Sequence, residues 1–121
     1  MAYSVLIVED EQAISRVLDL KLKQLGVATM LASDGVSALE LIKSQTFDCI
    51  LLDLILPGID GFNILEEIRK KDKNMKVIVM TNLGQPEDRA RVQKLGVTGY
   101  FVKSETPVTR LIEEVKNALE T

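Results

Sequence analysis

Histidine and tryptophan are absent from this 121-residue chain, and cysteine occurs once. Without histidine there is no Ser-His-Asp or Cys-His nucleophile pair and no histidine-ligated zinc. The single cysteine, Cys49, cannot close an intramolecular disulfide, and it lies inside an apolar run, where a free thiol behaves as a small buried hydrophobe. That usage fits a reducing cytoplasm. Aromatics make up only 4% of the residues, so the core must be built from Val, Ile and Leu. No apolar run approaches the ~20 residues of a membrane span. The opening stretch meets acidic residues after one short apolar run and does not read as a secretory leader. The net charge is -3 with no long basic run, which argues against direct nucleic acid binding by this segment.

What is present is a composition of 46% hydrophobic and 27% charged residues, ordinary for one folded domain spanning residues 1–121. Short apolar runs alternate with longer segments of helical period. The spacing predicts strands over Ser4 to Glu9, Ala28 to Ala32, Asp48 to Asp53, Lys76 to Thr81 and Gly99 to Val102. Between them, a helix over Asp10 to Leu25 turns Ile14, Val17, Leu18, Leu22 and Leu25 inward and stops at Gly26. Ser33 is placed to cap a second helix ending near Ser44, with Ala38, Leu39 and Ile42 inward. A third helix runs from Phe62 to about Lys71, with Asp60 and Gly61 as turn and cap. Pro86 opens a fourth, closed by Gly96, and only Ala90, Val92 and Leu95 in it are apolar, so its packing should be thin. Thr106 and Pro107 open the fifth, whose stripe is Val108, Leu111, Ile112, Val115 and Leu119. Five strands alternating with five helices imply an α/β fold with a doubly wound, flavodoxin-like parallel sheet in the order 2-1-3-4-5.

In that topology the carboxyl ends of the strands share one edge. Strand 1 ends in Glu9 and Asp10, strand 3 in Asp53, strand 4 in Thr81, and Lys103 follows strand 5. Any one of these has an ordinary explanation as a cap, a β residue or a surface lysine. Their joint placement is what singles them out. Three carboxylates in one place need a counter-charge, and an all-oxygen ligand set suits Mg²⁺. With such an ion, a lysine ammonium and a threonine hydroxyl, the edge could neutralise the oxygens of a phosphoryl group in transit. Asp53, at the centre, is then the nucleophile that becomes an aspartyl phosphate.

Four stretches carry a family resemblance: VLIVEDE at 5–11, ILLDLILPGIDGF at 50–62, VIVMT at 77–81 and GYFVK at 99–103. In order and spacing the chain resembles a response regulator receiver domain of bacterial two-component and chemotaxis signalling. The resemblance implies that Glu9, Asp10, Asp53 and the backbone carbonyl of Ile55 hold Mg²⁺. It implies that Asp53 is the phosphoacceptor, that Thr81 and Lys103 contact the phosphoryl group, and that Tyr100 swings inward as Thr81 moves. From the residues alone Tyr100 reads as a half-buried strand aromatic. The implied partners are a sensor histidine kinase or histidine phosphotransfer protein, which supplies the histidine this chain lacks, and a downstream protein target or an output domain outside this segment. The implied output surface is helix 4, strand 5 and helix 5. Such a domain is not a conventional enzyme, though it is expected to catalyse its own phosphorylation and dephosphorylation.

Two positions depart from the family. Ser104 follows Lys103 where proline and a cis bond are usual, and a cis bond before a non-proline residue costs ~2.5–4 kcal/mol. Asn82 follows Thr81 where alanine or glycine is common. Three other readings compete. A haloacid-dehalogenase-like phosphohydrolase needs a D-x-D motif on strand 1, but Asp53 is followed by Leu54 and Ile55. A flavodoxin-like cofactor binder needs a Ser/Thr/Gly-rich loop where Glu9, Asp10 and Glu11 stand. A degenerate receiver acting only as a binding module usually lacks the acceptor or the lysine.

Overall fold

Residues 2–121 are described in the computed structural model. The elements follow in strict alternation: β1 (Ser4–Val8), α1 (Gln12–Gln24), β2 (Ala28–Ala32), α2 (Gly35–Ser44), β3 (Cys49–Leu52), α3 (Gly61–Lys71), β4 (Lys76–Thr81), α4 (Pro86–Leu95), β5 (Gly99–Val102) and α5 (Val108–Leu119). The strands form one parallel sheet in the order β2-β1-β3-β4-β5, as the periodicity predicts. β3 is apolar and buried along its whole length, the pattern of a strand covered on both faces.

Alternate side chains divide the core in two. Leu6, Val8, Ile50, Leu52, Val77 and Val79 pack with residues of α2, α3 and α4 on one face. Val5, Ile7, Cys49, Leu51, Ile78 and Met80 pack with α1 and α5 on the other. The α4 cover is thin, with Val92 its only buried residue.

Three local expectations are corrected. Val17 and Leu25 are 39% and 52% exposed rather than inward. The buried stripe of α1 runs through Ser15, Leu18 and Leu22, and Leu25 lies past its last turn. The cap of α2 is Asp34, whose carboxylate accepts from the Ser37 amide at 2.8 Å, and not Ser33. Asp10 and Glu11 precede α1 rather than opening it, leaving Asp10 free for the sheet edge. Asp60 does cap α3, accepting from the Phe62 and Asn63 amides. A short 3₁₀ turn, Lys103–Glu105, intervenes between β5 and α5.

Candidate functional site at the carboxyl edge of the sheet

The backbone fixes the site before any side chain contributes. Val8 pairs with Leu52, so Glu9 and Asp53 are the next residues on neighbouring strands. The Glu9 amide donates to Ala32 O and the Asp53 amide to Val8 O, each at 3.0 Å, so the ladder continues one residue past the strands. Thr81 pairs with Val102, which places Lys103 one step beyond it. Two glycines bring the loop after β3 close. A Cβ on Gly61 would stand 2.3 Å from Leu54 Cα, and one on Gly35 would stand 2.4 Å from Ile59 O.

Lys103 Nζ gathers the carboxylates. It lies 2.8 Å from Asp53 Oδ2, 2.9 and 3.2 Å from the two oxygens of Glu9, and 2.6 Å from Glu11 Oε1. Its side chain is only 6% exposed, and those of Glu9 and Asp53 are 0% and 2%. Burial alone would lower the lysine pKa, but hydrogen bonds to Asp53, Glu11 and Glu9 outweigh it and hold the ammonium above the ordinary lysine range. Burial raises the Glu9 carboxyl above its usual value, against the opposing pull of the Glu11 amide and of Lys103. By formal charge, Glu9, Glu11 and Asp53 set three carboxylates against one lysine.

Ligand oxygens from Glu9, Asp10 and Asp53 lie within 4.8 Å of one another, close enough to share one small cation. The three are not equivalent. Glu9 is buried, with both oxygens engaged by Lys103 and one also accepting from the Glu11 amide at 3.0 Å. Asp10 is exposed at the rim. An all-oxygen donor set with surplus negative charge fits a hard divalent ion. Asp53 Oδ1 accepts from the Ile55 amide at 3.0 Å, which turns the carboxylate toward a cleft of about 210 Å³. That cleft is lined by Asp10, Glu11, Asp53, Ile55, Asn82 and Lys103.

Thr81 is fully buried, and its Oγ1 accepts from the Leu83 amide at 3.4 Å. Tyr100 is 8% exposed, further inside than a half-buried strand aromatic. Its hydroxyl donates to Leu83 O, and the Arg89 guanidinium sits 4.5 Å from the ring centroid. Burial, followed by the charge of Asp88, raises the Tyr100 pKa. No peptide bond among the described residues is cis, so Lys103 reaches Asp53 across a trans bond to Ser104.

The model of the response regulator receiver domain matches residues 5–116. The chain belongs to that family. This receiver is 38% identical over 111 residues to the Regulator of RpoS of Escherichia coli K12, and 39% identical over 103 residues to the probable transcriptional regulator ycf27 of Guillardia theta. The matches cover 92% and 85% of this chain but only 33% and 40% of those relatives, so the chain spans about a third to two fifths of their length. The BeF3-activated receiver domain of DrrB from Thermotoga maritima superposes with a TM-score of 0.89 at 26% identity, over the full length of both chains.

Sequence reasoning missed one member of the site, Glu11, and the contact made by another, Asn82. Glu11 was visible as the third acid in a run, but nothing in the run says which acids turn inward. Asn82 stands out in the sequence as a larger polar side chain beside Thr81, at a position that bears on access to the site; its contact with Ser104, 22 residues away, depends on how two loops meet.

Proposed function

We propose that this receiver is a phosphorylation switch in which Asp53 accepts a phosphoryl group from a phosphohistidine on a partner kinase or phosphotransfer protein. The observation that carries the reading is the direct contact of Lys103 Nζ with Asp53 Oδ2 inside an acidic cluster able to hold a cation. An Asp53 oxygen attacks phosphorus, the P–N bond breaks, and the imidazole nitrogen keeps the electron pair. Asp10, Asp53, Glu9 and the Ile55 carbonyl would hold Mg²⁺, which when bound would supply positive charge to the phosphoryl oxygens. Lys103, already desolvated and charged, faces the developing negative charge, and the Ile55 amide holds the other carboxylate oxygen in place. Water later attacks the acyl phosphate, releasing inorganic phosphate and restoring Asp53. The chain thus speeds its own modification and reversal without turning over an external substrate.

The new group carries about -1.5 to -2 charges. Thr81 is the hydroxyl nearest in register to meet it, and its movement frees space beside Tyr100, so the signal passes to the α4–β5–α5 surface. The partner there is a downstream protein or an output domain outside this segment, and the setting is the cytoplasm. No helix among the described residues is long and apolar enough to cross a membrane.

Incubation with acetyl phosphate and Mg²⁺ should add one phosphoryl mass to the intact protein. Chelation or Asp53→Asn should abolish the gain. A wild-type protein that gains nothing while folded would instead be a binding module.

A further inference from the structure

Asn82 and Ser104 were set apart by the sequence as two unrelated oddities, and the structure joins them. The Ser104 amide donates to Asn82 Oδ1 at 2.9 Å. A backbone N–H can only donate, so the oxygen of the carboxamide must face Ser104, and the orientation of the amide follows. Asn82 is anchored one residue after β4, beside Thr81. Ser104 is the residue after Lys103 and lies in the 3₁₀ turn that connects β5 to α5. Apart from the Lys103 side chain, that turn has two further ties. The Thr106 hydroxyl donates to Val102 O at 2.8 Å, and the Thr106 amide donates to Lys103 O at 3.3 Å. Both lie within the turn itself. The Asn82 bond is the one that ties the backbone of the turn to the end of β4. Asn82 also lines the cleft with Asp53 and Lys103. With Oδ1 committed to Ser104, the two N–H groups of the same carboxamide remain for a group bound there.

We infer that Asn82 is a positioning residue for Lys103 whose amide nitrogen also donates to an oxygen of the phosphoryl group on Asp53. Its oxygen holds the Lys103 turn against β4, and its nitrogen is left for a group bound in the cleft that Asp53 also lines. This rests on the phosphoacceptor reading of Asp53 for the second role only. A long lysine side chain has many rotamers, so the aim of Nζ depends on where its backbone is held. A carboxamide can bridge the two because its donor and acceptor point apart from one planar group. An alanine in its place leaves the Ser104 amide without a protein partner.

Three variants separate the roles. Asn82→Ala removes both ends of the amide, Asn82→Asp keeps the acceptor but replaces the donor with negative charge, and Ser104→Pro removes the donated N–H while leaving Asn82 intact. Amide exchange at Ser104, read by NMR on the unphosphorylated protein, should be about five- to tenfold faster in Asn82→Ala and near the wild-type rate in Asn82→Asp. Phosphorylation by acetyl phosphate with Mg²⁺ should slow in both, on the order of tenfold in Asn82→Asp, where a carboxylate faces the phosphoryl group. The effect of Asn82→Ala should shrink in a Ser104→Pro background, because the shared bond is already gone. Unchanged Ser104 exchange in Asn82→Ala would overturn the positioning role, as would an Asn82→Ala effect of equal size in both backgrounds. Wild-type phosphorylation rates in Asn82→Asp would overturn the donor role. If the wild-type protein gains no phosphoryl mass, the reading of Asp53 falls, and the exchange data still decide the positioning role.

Discussion

Gly58 in the loop after Asp53 and Gly61 at the start of α3 sit three residues apart, and they are glycines for different reasons. Gly61 has no room: a methyl group there would stand 2.3 Å from Leu54 Cα and 2.7 Å from Asp53 O, both backbone atoms that cannot rotate aside. Gly58 has open space around it but a φ of +81°, which disfavours a Cβ. Gly61→Ala should therefore cost about 1–3 kcal/mol as overpacking and push the Asp53 backbone out of line. Urea unfolding and phosphorylation by a small phosphodonor should both be impaired. Gly58→Ala should cost about 1–2 kcal/mol through strain alone and leave the phosphorylation rate near wild type, since nothing near Asp53 has to move. Equal kinetic damage from both substitutions would contradict the distinction. At this scale the acids and Lys103 were legible because they end apolar runs that fix where each strand stops. Gly61 reads from the sequence only as part of a turn and helix cap, because its steric reason lies in a contact with Leu54 that no local pattern contains.

Among the elements, α1 and α4 show what a hydrophobic pattern carries and what it leaves out. In α1 the inward stripe was read too wide, because Val17 is apolar yet faces away from the line through Leu18 and Leu22. A polar contact does part of the packing instead: the Thr29 hydroxyl of β2 donates to Asp19 on α1, which ties the edge strand to the helix. That hydrogen bond is the first cause of the lowered Asp19 pKa, with Lys23 contributing less. A carboxyl depressed on folding lends stability that is present above its unfolded pKa and lost as pH falls through the folded one. The contribution should thus be complete near neutrality and disappear below about pH 4. Thr29→Val should lower the unfolding midpoint at pH 7, and its difference from wild type should narrow in acid.

In α4, which buries only Val92, the poverty of apolar residues was readable, but the compensation was not. Arg69 on α3 donates through Nε to Leu95 O at 2.8 Å and Gly96 O at 3.0 Å, so a guanidinium from a neighbouring helix caps the α4 carboxyl end. Burial lowers the Arg69 pKa without threatening its charge. Arg69→Ala should cost about 1.5–3 kcal/mol, as for hydrogen bonds from a charged donor, and should raise amide exchange in α4 more than in α3 or α5. Arg69→Lys should rescue little, since an ammonium cannot reproduce the fork. Uniformly faster exchange throughout the chain would show that Arg69 supports the whole fold and not this helix.

Over the whole molecule, the site and the core share the same central strands. β1 and β3 are adjacent where the strand order reverses, the place where an open α/β sheet leaves a crevice for ligands. Cys49 begins β3 and pairs with Val5 on one side and Lys76 on the other. It is fully buried beneath α1 and α5, and burial pushes its thiol pKa up to about 12. A protonated, inaccessible thiol is inert to disulfide exchange and alkylation. To expose Cys49 the chain must release β3 from both neighbours and lift a helix layer, which amounts to global unfolding. Labelling by a thiol reagent at pH 8 should accordingly follow the same urea transition as far-UV circular dichroism. Any ligand that binds the folded state and not the unfolded one should slow it in proportion. Rapid labelling in the absence of urea would mean that the sheet opens between β3 and a neighbour while the rest stays folded. The strand that carries Asp53 would then be a moving part of the switch and not its fixed support.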